Sequence, residues 1–194
     1  YAVMCAMDGN PQVFFEDLLN VANTGKRWTH LPANAADLPA NQDIANIMKA
    51  HGALNFKGGD YKVRSAEPGH YNVVTANDGD PNTPTNSDDN HLIIERSGKA
   101  IIAATDHWNQ DQESWVDTDF APGTILKDYS GGVATTSVVQ GDKRANIKTR
   151  AVAYPSYTYS TNYGDHGAFY HGYSIWAPEG IDLNGYVNPS IPTT

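Results

Sequence analysis

Asn90-His-Leu-Ile-Ile-Glu-Arg-Ser-Gly-Lys-Ala-Ile-Ile-Ala-Ala-Thr105 is the stretch on which the fold turns. Two apolar β runs, His91–Arg96 and Lys99–Thr105, flank Ser97-Gly98, a two-residue signal for a tight hairpin. Their centres, Leu92–Ile94 and Ala100–Ala104, are continuously apolar. A strand with one wet face would alternate, so this hairpin is expected to be buried on both faces. Downstream, short strands are predicted at Ser114–Val116, Thr124–Asp128, Ser137–Val139, Ile147–Tyr154 and Tyr170–Trp176. Turns separate them at Ala121-Pro-Gly123, Ser130-Gly-Gly132 and Gly141-Asp142. Upstream, Tyr71–Thr75 reads as a strand, and Phe56–His70 as irregular chain or a short strand. Strands at this spacing predict a mainly β chain, an antiparallel Greek-key β-sandwich.

The first sixty residues read differently. Tyr1–Ala6 is an apolar run expected to be a strand, closed by the turn signal Asp8-Gly-Asn-Pro11. Val13–Phe15 reads as a short strand and Glu16–Ala22 has helical spacing. Asn23–Ala40 holds Pro32 and Pro39 and reads as loop. Asn41 then caps the strongest helix candidate, with Ile44, Ile47 and Met48 on one face and Gly52 as its stop.

Composition narrows the partners. The chain has 194 residues, with 13 Lys and Arg against 22 Asp and Glu, a net charge of −9. No basic stripe exists to meet phosphates, which argues against nucleic acid and anionic membranes. Neutral polymers such as polysaccharides remain open. The single cysteine, Cys5, excludes an intrachain disulfide and reads as a small buried hydrophobe. No stretch approaches the roughly 18 apolar residues of a membrane-spanning helix. The chain begins on Tyr and not Met, so an upstream portion is expected to have been removed.

Three stretches together carry a family resemblance. Gly9-Asn-Pro-Gln-Val-Phe-Phe-Glu-Asp17 is similar to a segment that follows the last barrel strand of α-amylase-family glycoside hydrolases. Asp43–Leu54 sits where that family has its last barrel helix. The hairpin Asn90–Trp108, the segment Trp115–Gly132 and the closing Gly172-Tyr-Ser-Ile-Trp-Ala-Pro178 resemble the family's C-terminal β-domain. The resemblance implies that residues 1–60 are a remnant of the last strand and helix of a (β/α)8 barrel. It makes 61–182 the C-terminal β-sandwich and 183–194 a tail. It implies a secreted parent enzyme that cleaves starch-type α-glucans by a retaining mechanism. The catalytic carboxylates of that mechanism have no match here. Asp89-Asn90-His91 is followed by Leu92 where the family's Asn-His-Asp element has Asp, and it lies downstream of the barrel segment. The expectation is therefore no catalytic residue and no hydrolysis by this chain alone. Its role would be to stabilise the barrel and contact glucan, with the missing barrel portion and an α-glucan as partners. Without the barrel, Tyr1–Phe15 would pair onto the sandwich or form an open edge that invites a homodimer. A free-standing carbohydrate-binding, lectin-like sandwich is the alternative.

The remaining constellations are weaker. Six tyrosines crowd into Tyr154–Tyr173. Tyr154, Tyr157, Tyr159 and Tyr163, with Trp108 on a predicted loop, are candidates for stacking on sugar rings; packing in a core or seam competes with that reading. Asp78, Asp80, Asn82 and Asp89 follow part of a calcium-loop spacing. Thr83 stands where that loop needs Gly, and Pro81 and Pro84 disturb it, so an EF-hand is excluded. An irregular calcium site or a plain polar loop remains. No other cofactor is indicated. Asp117 and Asp119 share a face by period two and read as a solvated acidic surface. The seven histidines show no zinc spacing, and Ser156, Ser160 and Ser174 lack a nucleophile context.

Overall fold

The structure, a computed structural model, describes residues 1–7, 9, 11–13, 42–56, 59–73, 91–107, 110–151 and 172–183. The described chain is mainly β, with two antiparallel sheets and few helices. The helices are α1 (Ala2–Ala6) and α2 (Gln42–Ala53). The strands are β1 (Tyr61–Val63), β2 (Tyr71–Asn72), β3 (Leu92–Arg96), β4 (Ala100–Ala104), β5 (Gln112–Asp117), β6 (Ile125–Asp128), β7 (Ser137–Val138), β8 (Arg144–Thr149) and β9 (Tyr173–Pro178). A 3-10 turn at Arg64–Ala66 follows β1.

The larger sheet has the order β1-β3-β4-β9-β6-β7, and the smaller one β2-β5-β8. The hairpin forms, with Ile94 opposite Ile102 and Arg96 opposite Ala100, but its loop has three residues, Ser97-Gly98-Lys99, where a two-residue turn was expected. Gly98 has φ +67, in the left-handed region where glycine carries no Cβ penalty. Both faces of this hairpin are covered. Ile94, Ala100, Ile102 and Ile175 pack with Ala2, Cys5, Ala6, Ile47, Ala50, Leu54 and Phe56 from the helical side. Ile93, Ile101, Ala103 and Trp176 pack with Val116, Ala145 and Ile147 of the smaller sheet. The order is therefore helices, six-stranded sheet, three-stranded sheet.

Residues 2–6 are helical, where a strand was expected. The run is apolar and short, and such runs carry little periodicity to separate helix from strand. Its buried residues, Ala2, Cys5 and Ala6, fall at i, i+3 and i+4, a helical face. These small side chains let the helix lie close on β3 and β4. Because α1 lies on the sheet, residues 2–6 present no strand edge to a second copy. Helix α2 also departs from expectation. It runs through Gly52 to Ala53, and the chain turns at Asn55, which has φ +50. Ile44 and Ile47 are buried as expected, but Met48 is 42% exposed; Ala50 and Leu54 complete the inward side. The strand predicted at Ile147–Tyr154 begins three residues earlier and ends at Thr149. Arg144-Ala-Asn-Ile-Lys-Thr149 alternates outward polar and inward small or apolar side chains, and this period-two pattern defines the strand.

Arg96 fastens the layers. It is fully buried at the end of β3 and donates to the carbonyls of Ala6 (3.4 Å) and Phe56 (2.5 Å). The last carbonyl of α1 and one just beyond α2 thus find one guanidinium, which also lies 5.8 Å from the centre of the Tyr61 ring. Burial pushes the Cys5 thiol pKa up, opposed by the N-terminal ammonium, in keeping with its reading as a small core side chain.

Candidate functional site

The smaller sheet supplies the polar surface. Along β5, Gln112, Ser114 and Val116 point inward, and Glu113, Trp115 and Asp117 are partly or well exposed. Along β8, Ala145, Ile147 and Thr149 point inward and Arg144, Asn146 and Lys148 outward. Register aligns these outward residues into rows. Tyr71 lies opposite Trp115, which lies opposite Asn146. Glu113 lies opposite Lys148, and Asp117 opposite Arg144. Tyr71 is 61% exposed, and the Arg144 guanidinium sits 6.0 Å from the centre of the Trp115 ring. An aromatic row thus crosses an outward face whose other members are charged or amide side chains.

The next row opens into a cleft of about 410 Å3 between β5, β8 and the loop 132–135. Its charges are matched. Glu113 accepts from Asn146 Nδ2 (2.6 Å) and pairs with Lys148 Nζ (3.0 Å). Asp111 pairs with Arg150 Nε (2.9 Å) and accepts from the backbone of Ala151 (2.9 Å). Burial pushes the Glu113 carboxyl up, but the Asn146 and Lys148 hydrogen bonds outweigh it and hold its pKa below the usual range. The loop wall is fixed by Asp128. One oxygen of this buried carboxylate accepts from the amides of Ser130 and Ile175 (both 2.9 Å). The other accepts from Ser130 Oγ (2.7 Å) and the Val133 amide (2.8 Å). Ser130-Gly-Gly132, expected as a turn, is thereby tied to β9.

Behind the cleft floor runs a buried polar relay. His91 Nδ1 meets Ser114 Oγ at 2.8 Å, and Nε2 meets Thr149 Oγ1 at 2.9 Å. Thr149 Oγ1 meets Ser174 Oγ at 2.8 Å, and Ser174 Oγ accepts from the Trp176 indole at 3.0 Å. Burial drives the His91 pKa down to about 3, helped by repulsion from His70. A neutral imidazole offers one donor and one acceptor, which suits two hydroxyl partners. The Ser114–His91 contact is not a nucleophile pair: both residues are closed to solvent and the imidazole bonds no carboxylate. The relay joins β3, β5, β8 and β9 as structure.

A second buried network lies at β1 and β3. Arg64 donates to Glu95 (2.7 Å), Glu67 (2.6 Å) and Asp119 (3.0 Å). Glu95, with no exposed surface, also accepts from Thr118 Oγ1 and the Asp119 amide, both at 2.9 Å. Burial works against the Arg64 charge, but its hydrogen bonds and attraction to Glu67 and Glu95 leave its pKa raised. Asp119 also pairs with Lys62 at 2.8 Å, while Asp117 lies 3.9 Å from Arg144. The two carboxylates predicted to share a face therefore have separate cations.

The sequence-derived sugar candidates Trp108, Tyr154, Tyr157, Tyr159 and Tyr163 lie outside the described residues. So do the metal candidates Asp78, Asp80, Asn82 and Asp89. Among the described residues, no group of three or more His, Cys, Asp or Glu could hold a metal ion. None of the described helices is long and apolar enough to cross a membrane. Ser174, weighed and set aside as a nucleophile, is buried in the relay. Sequence reasoning missed Tyr71 and Trp115 as a pair. They are 44 residues apart, and only strand register brings them together.

No protein-family model matches this chain, and no curated protein does.

Proposed function

We propose that this chain is the non-catalytic C-terminal portion of an α-amylase-type glycoside hydrolase acting on starch-type α-glucans, secreted with its parent. Its two sheets would form the Greek-key sandwich of that enzyme's accessory domain and α2 the last barrel helix, whereas residues 2–6, being helical, do not supply the last barrel strand that the resemblance implies. The observation that supports this most is the apolar seam between α1, α2 and the six-stranded sheet. The segment that resembles a barrel terminus packs on the face by which a supporting β-domain would hold a barrel. Tyr1, Met4 and Met48, exposed on or beside these helices, are apolar surface suited to contact with further barrel elements.

The reading is tested in the transcript upstream of Tyr1. An open frame encoding seven further strand–helix units, with Asp and Glu at strand ends, supports it; a start codon directly before Tyr1 overturns it. A second check is incubation of the 194 residues with soluble starch. No reducing sugar is expected, and release above buffer sinks the non-catalytic role.

The row of exposed Tyr71 and half-buried Trp115 favours one alternative, a free-standing carbohydrate-binding module. That reading needs no barrel, so the same upstream sequence separates the two.

A further inference from the structure

We propose that the outward face of the β2-β5-β8 sheet binds a neutral pyranose chain, with Tyr71 and Trp115 as its stacking row and the cleft at Glu113 as its hydroxyl-binding groove. This deepens the carbohydrate reading above, and rests on the α-glucan assignment only in the choice of first probe.

Three observations carry it. The first is the aromatic row. Directly opposed residues of an antiparallel pair have Cβ atoms about 5 Å apart, so the two side chains are neighbours on one face. A pyranose presents an apolar C–H face to such rings and its hydroxyls to the rim. The second is the neighbouring polar set. Glu113, Asn146 and Lys148 supply acceptors and donors beside the rings, and Asp111 and Arg150 extend them along the cleft. Convergent polar groups next to an apolar patch are what orients a small polyhydroxylated ligand.

The third is charge. The two cations of the cleft are held by carboxylates, Lys148 by Glu113 (3.0 Å) and Arg150 by Asp111 (2.9 Å), and Arg144 lies 3.9 Å from Asp117 and donates to the Gly69 carbonyl. An anionic ligand would have to break such a pair and approach a chain of net charge −9. A cationic ligand meets no uncommitted carboxylate among these three. A neutral ligand exchanges hydrogen bonds without displacing either partner.

The test titrates the full 194-residue chain with maltoheptaose and, separately, with cellohexaose. Tryptophan fluorescence and amide and indole chemical shifts are followed. Saturable binding of at least one sugar is expected, with shifts at the Trp115 indole and along β5 and β8. Tyr71→Ala should weaken binding about tenfold, the loss of one stacked ring. Trp115→Ala should weaken it further. If Trp115→Ala unfolds, Tyr71→Ala, at an exposed ring outside the core, carries the test. Binding of maltoheptaose supports the surface and the α-glucan assignment together. Binding of cellohexaose alone, still dependent on Tyr71, keeps the surface and removes that assignment. The proposal is overturned if neither sugar binds, if affinity survives both substitutions, or if loss is confined to Trp108→Ala. Self-association abolished by Tyr71→Ala, with no sugar binding, overturns it in favour of a protein contact.

Discussion

The two sheets use opposite designs. In the larger one, β3 and β4 are buried on both faces, and their sequences, Leu-Ile-Ile-Glu-Arg and Ala-Ile-Ile-Ala-Ala, scarcely alternate. In the smaller one, β5 and β8 alternate strictly, Gln-Glu-Ser-Trp-Val-Asp against Arg-Ala-Asn-Ile-Lys-Thr. Burial on both faces commits a strand to packing; a charge there must be paired or hydrogen-bonded, as Glu95 is with Arg64 and Arg96 with two backbone carbonyls. A strand with one free face keeps every second residue for contact with something else. Stability should therefore concentrate in the first sheet and recognition in the second.

The largest effect that can break this contrast is at Glu95. Glu95→Ala removes the buried anion of this network, leaves Arg64 only the partly exposed Glu67 and Asp119, and takes the acceptor from Thr118 Oγ1 and the Asp119 amide; it should cost roughly 3–5 kcal/mol by urea denaturation. A loss below about 1 kcal/mol would mean that water reaches the pair. Next come Ile101→Ala and Ile102→Ala, adjacent residues facing opposite cores. Each should cost about 2–5 kcal/mol. If only one does, one of the two covering layers is loosely packed.

Acid should act through His91. In the unfolded chain this imidazole takes a proton below about 6.5; in the folded chain it resists until about 3. Between those values the unfolded state binds more protons, so stability falls as pH falls, by up to about 1.4 kcal/mol per pH unit. His91→Gln should lower the melting temperature at neutral pH and flatten its decline across that window. An unchanged acid limb would assign it to other groups. The smallest effect is on the outer face, where Lys148→Ala should change stability by about 0.2–1 kcal/mol or less, an exposed ion pair being weak. A larger loss would make this face structural and would count against its role in recognition.

The hairpin was the most legible part of the sequence. Its turn dipeptide is local and its apolar runs admit one burial pattern. Residues 2–6 were misread because five apolar residues carry too little period to separate helix from strand, and the sheet beneath them decides. Strand β8 was placed late because Ala145 and Asn146 are both poor strand formers; their alternation counts only once β5 lies alongside. The Tyr71–Trp115 row was illegible for a deeper reason. It is a product of register between distant segments, and neither residue has a local signal. The sugar candidates that sequence did single out, four tyrosines marked by crowding and Trp108 by a predicted loop, fall outside the described residues.

Strand β9 lies in the middle of the larger sheet, between β4 and β6, although it is the last strand of the described chain. During synthesis the ribosome therefore releases β4 and β6 long before the segment that joins them. Until residues 173–178 emerge, each has an unpaired backbone edge available for misassociation. A message truncated before Tyr173 would leave two halves of a sheet with nothing to join them, and its product should meet chaperones or proteases.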